Sequence, residues 1–322
     1  MSAIRRPGKI NENTTLIDVG LYGVAGAAAV YLIEGEKRTC LVDGGTRTEA
    51  RRIVRALKEM EAFPPDMIVA THAHWDHAQG IPTIRREAEK QHKGVDVLAS
   101  QRAVPLLADP SYNDVFDAGP YERIEDVIPL NEGDTIDLGG IGLRIYEVPG
   151  HSADHVAILD EKNRNLFVGD ALGLKVHADT FLPPFMPPLW DPEAFHSSIS
   201  KLKQVDYESL CLAHFGFIYG DEAKSILDEA VLTCEAWWQL FEENADRLDD
   251  VDYMFEAIMT KLSPAIPDMT PVSPKIRLLL GLATGWSRLV RKRPPVIGEI
   301  LIRQIVEMLA TGYRVQQGLQ SP

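Results

Sequence analysis

The sequence predicts a β-rich α/β fold followed by a helical C-terminal region. Short β-rich runs alternate with helical patterns over the first two-thirds of the 322 residues, and composition changes after about residue 220. The last hundred or so residues read as helical, without a clear strand pattern. Because alternating strands and helices let helices cover the faces of a sheet, we expect a layered domain at 1–220 and a helical region at 221–322.

The predicted strands end at turn residues or at polar segments. The run 38–43 ends at Gly44-Gly45, and the apolar run 66–70 is followed by a polar stretch. Residues 155–160 and 165–169 flank a Glu-Lys-Asn-Arg turn, which is typical of a hairpin. Further strands are expected at 14–18, 27–34, 95–98 and 209–213, with three more between 126 and 149.

Helical spacing of apolar residues indicates helices in three segments of the first domain and in most of the C-terminal region. The first segment, 47–61, places Ile53, Leu57 and Met60 on one face. The other two helices are expected near 80–92 and 191–204.

Charge is unevenly distributed in the C-terminal region. Residues 221–250 carry ten acidic residues against Lys224 and Arg247, whereas 275–314 carry eight basic residues against Glu299 and Glu307. A Pro-rich stretch at 263–274 separates the two blocks. The blocks can pair within one subunit or between two, which makes the C-terminal helices a candidate homodimer surface. Two separately solvated charged faces are the alternative.

Composition and charge argue against several classes of protein. The net charge of −14 repels phosphate backbones and argues against general nucleic-acid binding, although a local basic site can still bind a small anion. No apolar run approaches the ~20 residues that span a bilayer, and the N-terminal residues lack the apolar core of a signal peptide. Three widely spaced cysteines form neither a disulfide framework nor a CxxC motif. We therefore expect a cytoplasmic protein without membrane contact.

The residues that suggest chemistry are concentrated in the segment Thr71–His77. Its letters HAHWDH put three imidazoles and one carboxylate where a buried strand gives way to a helix, and three further candidates each follow a predicted strand. Imidazole and carboxylate groups suit zinc, iron or manganese. We therefore predict a metal site at the strand ends. The candidate ligands are His72, His74, Asp76, His77, His151, Asp170 and His214.

These motifs, in this order, resemble those of the metallo-β-lactamase superfamily over roughly residues 14–220. The resemblance implies an αββα sandwich, in which two mixed sheets lie face to face with helices outside and metals at one edge. It implies that Asp43, in LVDGG, supports the metal site from a strand end. It also assigns the metal ligands: His72, His74 and His151 to the first ion, Asp76, His77 and His214 to the second, and Asp170 to both as a bridge.

Within the superfamily, the residues favour the glyoxalase II-like group, which includes thioesterases, lactonases and some phosphodiesterases. True zinc β-lactamases have a Cys where Asp170 stands, and flavodiiron-type reductases usually have Glu at the position of His74 together with a flavodoxin domain. The long insert of RNA-processing nucleases has no room before residue 220. Around His214 this chain has Ala-His-Phe-Gly where many relatives have PGHG, so the ligand is retained but its turn differs.

We expect a dinuclear metal-dependent hydrolase that attacks a small ester, thioester or lactone. Two divalent ions, zinc in the first instance and otherwise iron or manganese, depress the pKa of bound water from ~15.7 toward ~7, which favours a metal-bridging hydroxide as the nucleophile. Asp76 is the candidate catalytic residue, because it can orient the nucleophile and shuttle its proton.

Two alternative functions remain open. The first is a phosphodiesterase or nuclease with the same metals, which the basic segment Arg288–Arg293 would favour if it faces the cleft. The second is a regulatory ligand-binding protein of the same fold with slight turnover.

Three features near the motifs have two interpretations each. The loop Phe181–Trp190, with four prolines, forms an apolar rim over the metals or docks against the C-terminal helices. Trp75 either lines the cleft or packs in the hydrophobic core. His155 is expected to support the site or to pack rather than to bind metal directly.

Overall fold

The computed structural model describes residues 3–4, 6–177, 180–214, 216–264 and 297–319. The basic segment 288–293 and most of the Pro-rich stretch 263–274 lie outside the described residues.

Sixteen strands among the described residues form two seven-stranded sheets and one two-stranded ribbon. They are β1 (Ala3–Ile4), β2 (Gly8–Lys9), β3 (Thr14–Asp18), β4 (Ala29–Glu34), β5 (Thr39–Val42), β6 (Met67–Val69), β7 (Asp96–Ser100), β8 (Val127–Leu130), β9 (Thr135–Asp137), β10 (Gly142–Glu147), β11 (Val156–Asp160), β12 (Asn165–Gly169), β13 (Leu174–His177), β14 (Thr180–Leu182), β15 (Ser209–Leu212) and β16 (Gly216–Tyr219). The first sheet has the order β2-β3-β4-β5-β6-β7-β8, and the second has the order β1-β16-β15-β12-β11-β10-β9. Strands β13 and β14 form the ribbon. Both sheets are mixed, since β5–β8 run parallel to one another and β12 runs parallel to β15.

Eight α-helices of the described residues cover the two sheets. They are α1 (Ala50–Glu59), α2 (Trp75–Ala78), α3 (Ile81–Glu89), α4 (Ala103–Ala108), α5 (Pro192–Leu202), α6 (Asp221–Glu243), α7 (Val251–Lys261) and α8 (Ile297–Gln316). Short 3₁₀ turns occur at Leu21–Gly23, Pro110–Phe116 and Ala245–Arg247.

The sheets face each other across a core built by alternation of side chains. Along β4, Tyr31 and Ile33 point between the sheets, whereas Val30 and Leu32 point to the outer face. A strand buried on both faces must be apolar at nearly every position, which explains the continuous hydrophobic runs of the sequence.

Helices pack on each outer face, so the layers are helix, sheet, sheet, helix. Ile53 and Leu57 of α1 cover the first sheet, together with residues of α3 and α4. The C-terminal helices cover the second sheet, and Ile302, Leu309 and Tyr313 of α8 are buried there. The predicted αββα sandwich with C-terminal helices is therefore confirmed. The domain boundary at residue 220 stays a prediction, because one buried apolar cluster joins the second sheet to these helices.

The acidic and basic blocks meet within the chain. Arg314 pairs with Asp249 of the acidic block, and Arg303 of α8 pairs with Asp252 of α7, two residues beyond that block. These acidic side chains are largely exposed, so each pair contributes little stability. A homodimer through the same helices stays a prediction.

Several elements were not expected from the sequence. The helix α4, the 3₁₀ turn Pro110–Phe116 and the short strands β13, β14 and β16 lie in segments without clear periodicity. Of the helices in the described ranges, none is both long enough and apolar enough to cross a bilayer.

Candidate metal centre

Three imidazoles meet at one point between the strand ends. Nδ1 of His74 lies 3.0 Å from Nε2 of His72 and 2.9 Å from Nε2 of His151. His72 and His74 follow β6, and His151 lies between β10 and β11, so the two sheets each contribute. All three side chains are buried, and burial lowers the pKa of each imidazole below its ordinary value. Neutral imidazoles present lone pairs, which is the form that binds a metal ion.

A second group of side chains lies beside the first. Nε2 of His214 is 3.1 Å from Oδ2 of Asp76, and Nε2 of His77 is 3.8 Å from Oδ1 of the same carboxylate. Asp76 and His77 are on the single turn α2, and His214 follows β15. One atom from each of these three residues lies within 4.8 Å of the others, which is compact enough to hold an ion.

Asp170 lies between the two groups. Its Oδ2 is 3.4 Å from Nε2 of His77, 3.5 Å from Nε2 of His214 and 3.8 Å from Nε2 of His151. Burial by itself would raise the pKa of Asp170, but His214 and His77 hold that pKa far below its usual value. The carboxylate is therefore ionised and faces both groups at once.

Protonation differs between the two groups of histidines. Burial would lower the pKa of His77 and of His214, but the surrounding carboxylates raise the first well above its ordinary value and the second to about 9. Burial would likewise raise the pKa of Asp76, yet His77 and His214 hold it below its ordinary value. Without a metal, two protonated imidazoles compensate the buried carboxylates. A cation can replace those protons, because it supplies the same positive charge.

Hydrogen bonds on the far side of the rings orient their metal-facing nitrogens. Nδ1 of His151 donates to the carbonyl oxygen of Pro184 over 2.7 Å, and Nδ1 of His214 donates to that of Ala27 over 2.8 Å. A carbonyl oxygen only accepts, so Nδ1 of each ring carries a hydrogen and Nε2 is the nitrogen that faces the site. His77 is oriented in the same way by Asp43 over 2.9 Å, which agrees with the supporting position that the resemblance implied for Asp43.

His155 supports the centre without belonging to either group of candidate ligands. Its Nε2 accepts the backbone N–H of Asp170 over 3.1 Å, and its ring stacks on His72 with centroids 4.6 Å apart. Its Nε2 lone pair is thereby used. This arrangement agrees with the expectation that His155 acts in support.

Two supporting residues were missed by sequence reasoning. Asp154, which is buried, accepts the backbone N–H of Ala73 over 2.8 Å and so holds the chain between His72 and His74. Asn113 accepts the backbone N–H of Trp75 over 2.9 Å. Their side chains act on backbone groups distant in sequence, so residue spacing carries no signal for them.

Buried polar atoms of the donor set lack hydrogen-bond partners in the described part of the chain, as expected if the site holds a metal ion. Nε2 of His77 and Oδ1 of Asp170 are buried and have no hydrogen-bond partner among the described residues. Buried polar atoms are normally paired, and leaving one unpaired costs about 1–3 kcal/mol. Both atoms belong to residues that could share one ion with His72. A bound cation would satisfy them.

A pocket of about 620 Å³, lined by aromatic and by polar side chains, adjoins the centre. We call it the aromatic pocket, and its aromatic walls are Tyr22, Trp75 and Phe116. The ring of Phe116 lies 5.2 Å from that of His74, and the ring of Tyr22 lies 5.8 Å from that of Trp75. Trp75 therefore lines the cleft while remaining only 9% exposed. Tyr22 and Phe116 were not anticipated, because each lies in a short 3₁₀ turn distant along the chain from the motifs.

The Pro-rich apolar loop packs against the C-terminal helices. Phe185 is fully buried, and its ring meets Trp238 at 5.3 Å and Phe241 at 5.5 Å. Trp237 is buried in the same cluster. Docking is therefore the better interpretation of this loop. The loop still touches the centre, through the carbonyl of Pro184 described above.

Comparison with known proteins agrees with this architecture. The family model described as metallo-beta-lactamase superfamily matches residues 23–214. That range contains all seven candidate ligands and most of both sheets.

Curated relatives match over part of their length. A hydroxyacylglutathione hydrolase from Methylobacterium nodulans is 36% identical over 124 residues, which are 38% of this chain and 40% of that protein. An acyl-coenzyme A thioesterase from Bos taurus is 27% identical over 169 residues, which are 47% of this chain and 60% of the relative. The chain thus spans about 40–60% of the length of these relatives.

Solved structures share the fold at low sequence identity. An archaeal metallo-beta-lactamase superfamily protein from Sulfolobus tokodaii superposes with a TM-score of 0.58 at 18% identity, over 94% of this chain and 99% of the other. A B3 metallo-beta-lactamase with an active-site glutamic acid superposes with a TM-score of 0.55 at 20% identity, over 72% of this chain and 90% of the other. These similarities show a shared fold and nothing more. Because the family model matches more than half of the chain, the chain belongs to the metallo-beta-lactamase superfamily.

Proposed function

We propose that this protein is a dinuclear metal-dependent hydrolase of small acyl esters, with thioesters as the first choice and lactones as the nearest alternative. The observation that carries this proposal is the convergence of two sets of imidazole nitrogens on the shared carboxylate of Asp170. The relatives supply the substrate class. One is named for hydroxyacylglutathione and the other for acyl-coenzyme A, and both compounds are thioesters.

The ligand assignment is part of the proposal. His72, His74 and His151 would hold one ion, and their close nitrogens support this. Asp76, His77 and His214 would hold the second ion, with Asp170 contacting both. Imidazole and carboxylate donors suit zinc, which is the first choice here, and they also suit iron or manganese. Bound in this way, the cations would activate water near neutral pH and polarise the scissile carbonyl.

The chain's own residues would then orient substrate and move the proton. Asp76 has the most exposed carboxylate of the centre, at 14% for the side chain, and it is ionised. It can therefore accept a hydrogen bond from the attacking water and pass the proton toward the leaving group. The aromatic side chains of the aromatic pocket offer apolar surface to an acyl chain.

Metal analysis and hydrolysis of a substrate panel together test the proposal. The panel holds a thioester, a lactone, an aryl ester and a bis-aryl phosphodiester of similar size. We expect close to two metal ions per chain and the highest kcat/KM on the thioester. Highest activity on the phosphodiester would replace the proposal with the phosphodiesterase alternative, and binding without turnover would favour the regulatory one.

Matched histidine variants distinguish loss of the metal centre from a general effect of replacing a histidine. His72→Ala and His77→Ala should each abolish turnover and lower metal content, whereas His196→Ala, on the exposed face of α5, should leave both unchanged. Full turnover in either centre variant would rule out the metal-hydrolase mechanism.

A further inference from the structure

A second pocket, lined by four basic side chains, lies beside the aromatic pocket. We call it the basic pocket, and its volume is about 600 Å³. It lies where the start of α1 approaches α3, and loop residues 118–120 complete its lining. Its cations are Arg47, Arg51, Arg86 and Lys90.

Two of the four cations form no ion pair among the described residues. Lys90 pairs with Glu87, the acidic residue of the lining, over 2.5 Å, and Arg86 pairs with Glu122. In contrast, Arg47 and Arg51 are exposed, and no ion pair joins either guanidinium to a carboxylate of the described residues. The pocket thus concentrates positive charge on a chain whose net charge is −14.

The basic pocket continues into the candidate metal centre. It shares Thr48, Gln79 and Ala118 with the aromatic pocket, so the two form one groove. The aromatic pocket in turn reaches the centre, because Phe116 contacts His74. A long thioester could therefore have its scissile group at the metals and its acyl group against Phe116, while the tail on the sulfur side passes along Thr48, Gln79 and Ala118 to the basic pocket.

A neighbouring pocket shows that basic residues alone do not produce this feature. That pocket, of about 430 Å³, is lined by three arginines and three acidic residues. Its charges are balanced: Arg85, Arg86 and Arg123 against Glu89, Glu125 and Asp126. The surplus of positive charge is a property of the basic pocket and not of this whole surface.

We propose that the basic pocket binds the phosphate-bearing tail of a thioester substrate, with Arg47 and Arg51 as the main contacts. Guanidinium groups donate paired hydrogen bonds that match the geometry of phosphate oxygens. Several cations around one pocket favour a multiply charged anion over a single carboxylate. The assignment rests on the proposed hydrolase function, and it narrows the substrate to a nucleotide-type thioester.

Binding of a non-reactive ligand tests the pocket independently of turnover. Desulfo-coenzyme A carries the phosphates but has neither thiol nor thioester, and its binding can be measured by calorimetry. We expect the double variant Arg47→Glu/Arg51→Glu to weaken this binding at least tenfold. The control Arg55→Glu/Arg144→Glu changes the net charge equally, at exposed residues outside both pockets, and should weaken binding less than twofold.

A pair of substrates then tests whether the phosphates belong to the substrate. Benzoyl-coenzyme A and benzoyl-pantetheine carry the same thioester, but the second has no phosphate. The wild-type protein should prefer the first at least tenfold in kcat/KM, and this preference should fall with added salt. The double variant should lose the preference, mainly through KM, and the control should keep it.

The outcomes distinguish this inference from the proposed function. Equal kcat/KM for the two thioesters, without binding of desulfo-coenzyme A, would overturn the pocket assignment while leaving the hydrolase intact. Binding of desulfo-coenzyme A that depends on Arg47 and Arg51, without hydrolysis of any thioester, would remove the hydrolase and keep the phosphate site. Binding combined with equal kcat/KM would identify the ligand as a separate phosphate-bearing effector, which contradicts a substrate tail.

Discussion

The carboxylate of Asp43 accepts a hydrogen bond from Nδ1 of His77 over 2.9 Å, and its other oxygen accepts the backbone N–H of Thr71 over 2.8 Å. Asp43 has a φ of 64°, which is uncommon for a non-glycine residue. One side chain thus connects the end of β5 to the start of the HAHWDH segment. It also sets which nitrogen of His77 faces the centre.

Asp43→Asn should weaken metal binding without unfolding the protein. An amide cannot supply the negative charge that orients the His77 ring, and loss of such a partner costs about 10–100-fold in metal affinity. Metal content after dialysis against buffered zinc would measure the change. Asp206→Asn, at a carboxylate that is 81% exposed, serves as the control and should match wild type. Unchanged affinity in the Asp43 variant would contradict the orienting role.

Asp154 should contribute to stability through the backbone of Ala73. Asp154→Ala leaves that buried N–H unpaired, which costs about 1–3 kcal/mol in the free energy of unfolding. Asp154→Asn keeps a carbonyl oxygen that can accept the same hydrogen bond, so its loss should be smaller. Urea denaturation of the metal-free forms would measure both. Equal losses in the two variants would show that the hydrogen bond is not the cause.

Gly169 lies where an added side chain would displace residues that support the metal centre. A Cβ there would lie 2.8 Å from His155 and from the hydroxyl of Thr71, and its φ is 49°. Gly133 has a φ of 84° but open space around the Cβ position. Gly133→Ala should therefore cost about 1 kcal/mol from backbone strain alone. Gly169→Ala should cost more and also reduce metal content, and a result equal to that of Gly133→Ala would argue against a steric link to the centre.

The Pro-rich loop should be important for overall stability. Phe185 is fully buried between Trp238 and Phe241, so Phe185→Ala removes a large apolar side chain and leaves a cavity. Such substitutions cost about 3–5 kcal/mol. Leu232→Ala, at a residue of α6 that is 67% exposed, is the control. It should lower the free energy of unfolding by less than about 0.5 kcal/mol, as is usual for surface substitutions. Thermal unfolding would compare the two, and similar losses would contradict docking of the loop.

Phe116 should affect which acyl groups are accepted. Phe116→Ala removes apolar surface next to His74, so the KM for a thioester with a bulky acyl group should rise about tenfold, with a smaller effect on an acetyl thioester. Val115→Ala, at an exposed neighbour outside the aromatic pocket, is the matched control. An equal effect on both substrates would mean that Phe116 supports the centre and does not contribute to specificity.

The layered fold and the identity of the candidate ligands could be predicted from the sequence. Strands buried on both faces leave long apolar runs, and the polar segments that follow them stand out in this sequence. The predicted strand at 14–18 agrees with β3 (Thr14–Asp18), and the predicted helix at 191–204 agrees with α5 (Pro192–Leu202) to within two residues at each end. Helix α4 escaped prediction because Ala103–Ala108 is too short for a clear period.

The sequence by itself determined which side chains gather at the strand ends, because a strand end fixes where the next residue lies. Tertiary structure alone decided what surrounds them. Tyr22, Phe116 and Arg47 come together only because separate loops and helices pack against one another, and no spacing along the chain records that proximity. The same reason explains the two interpretations of the loop 181–190. Its composition required burial, but the choice of partner depended on the docking of helices α6 and α8.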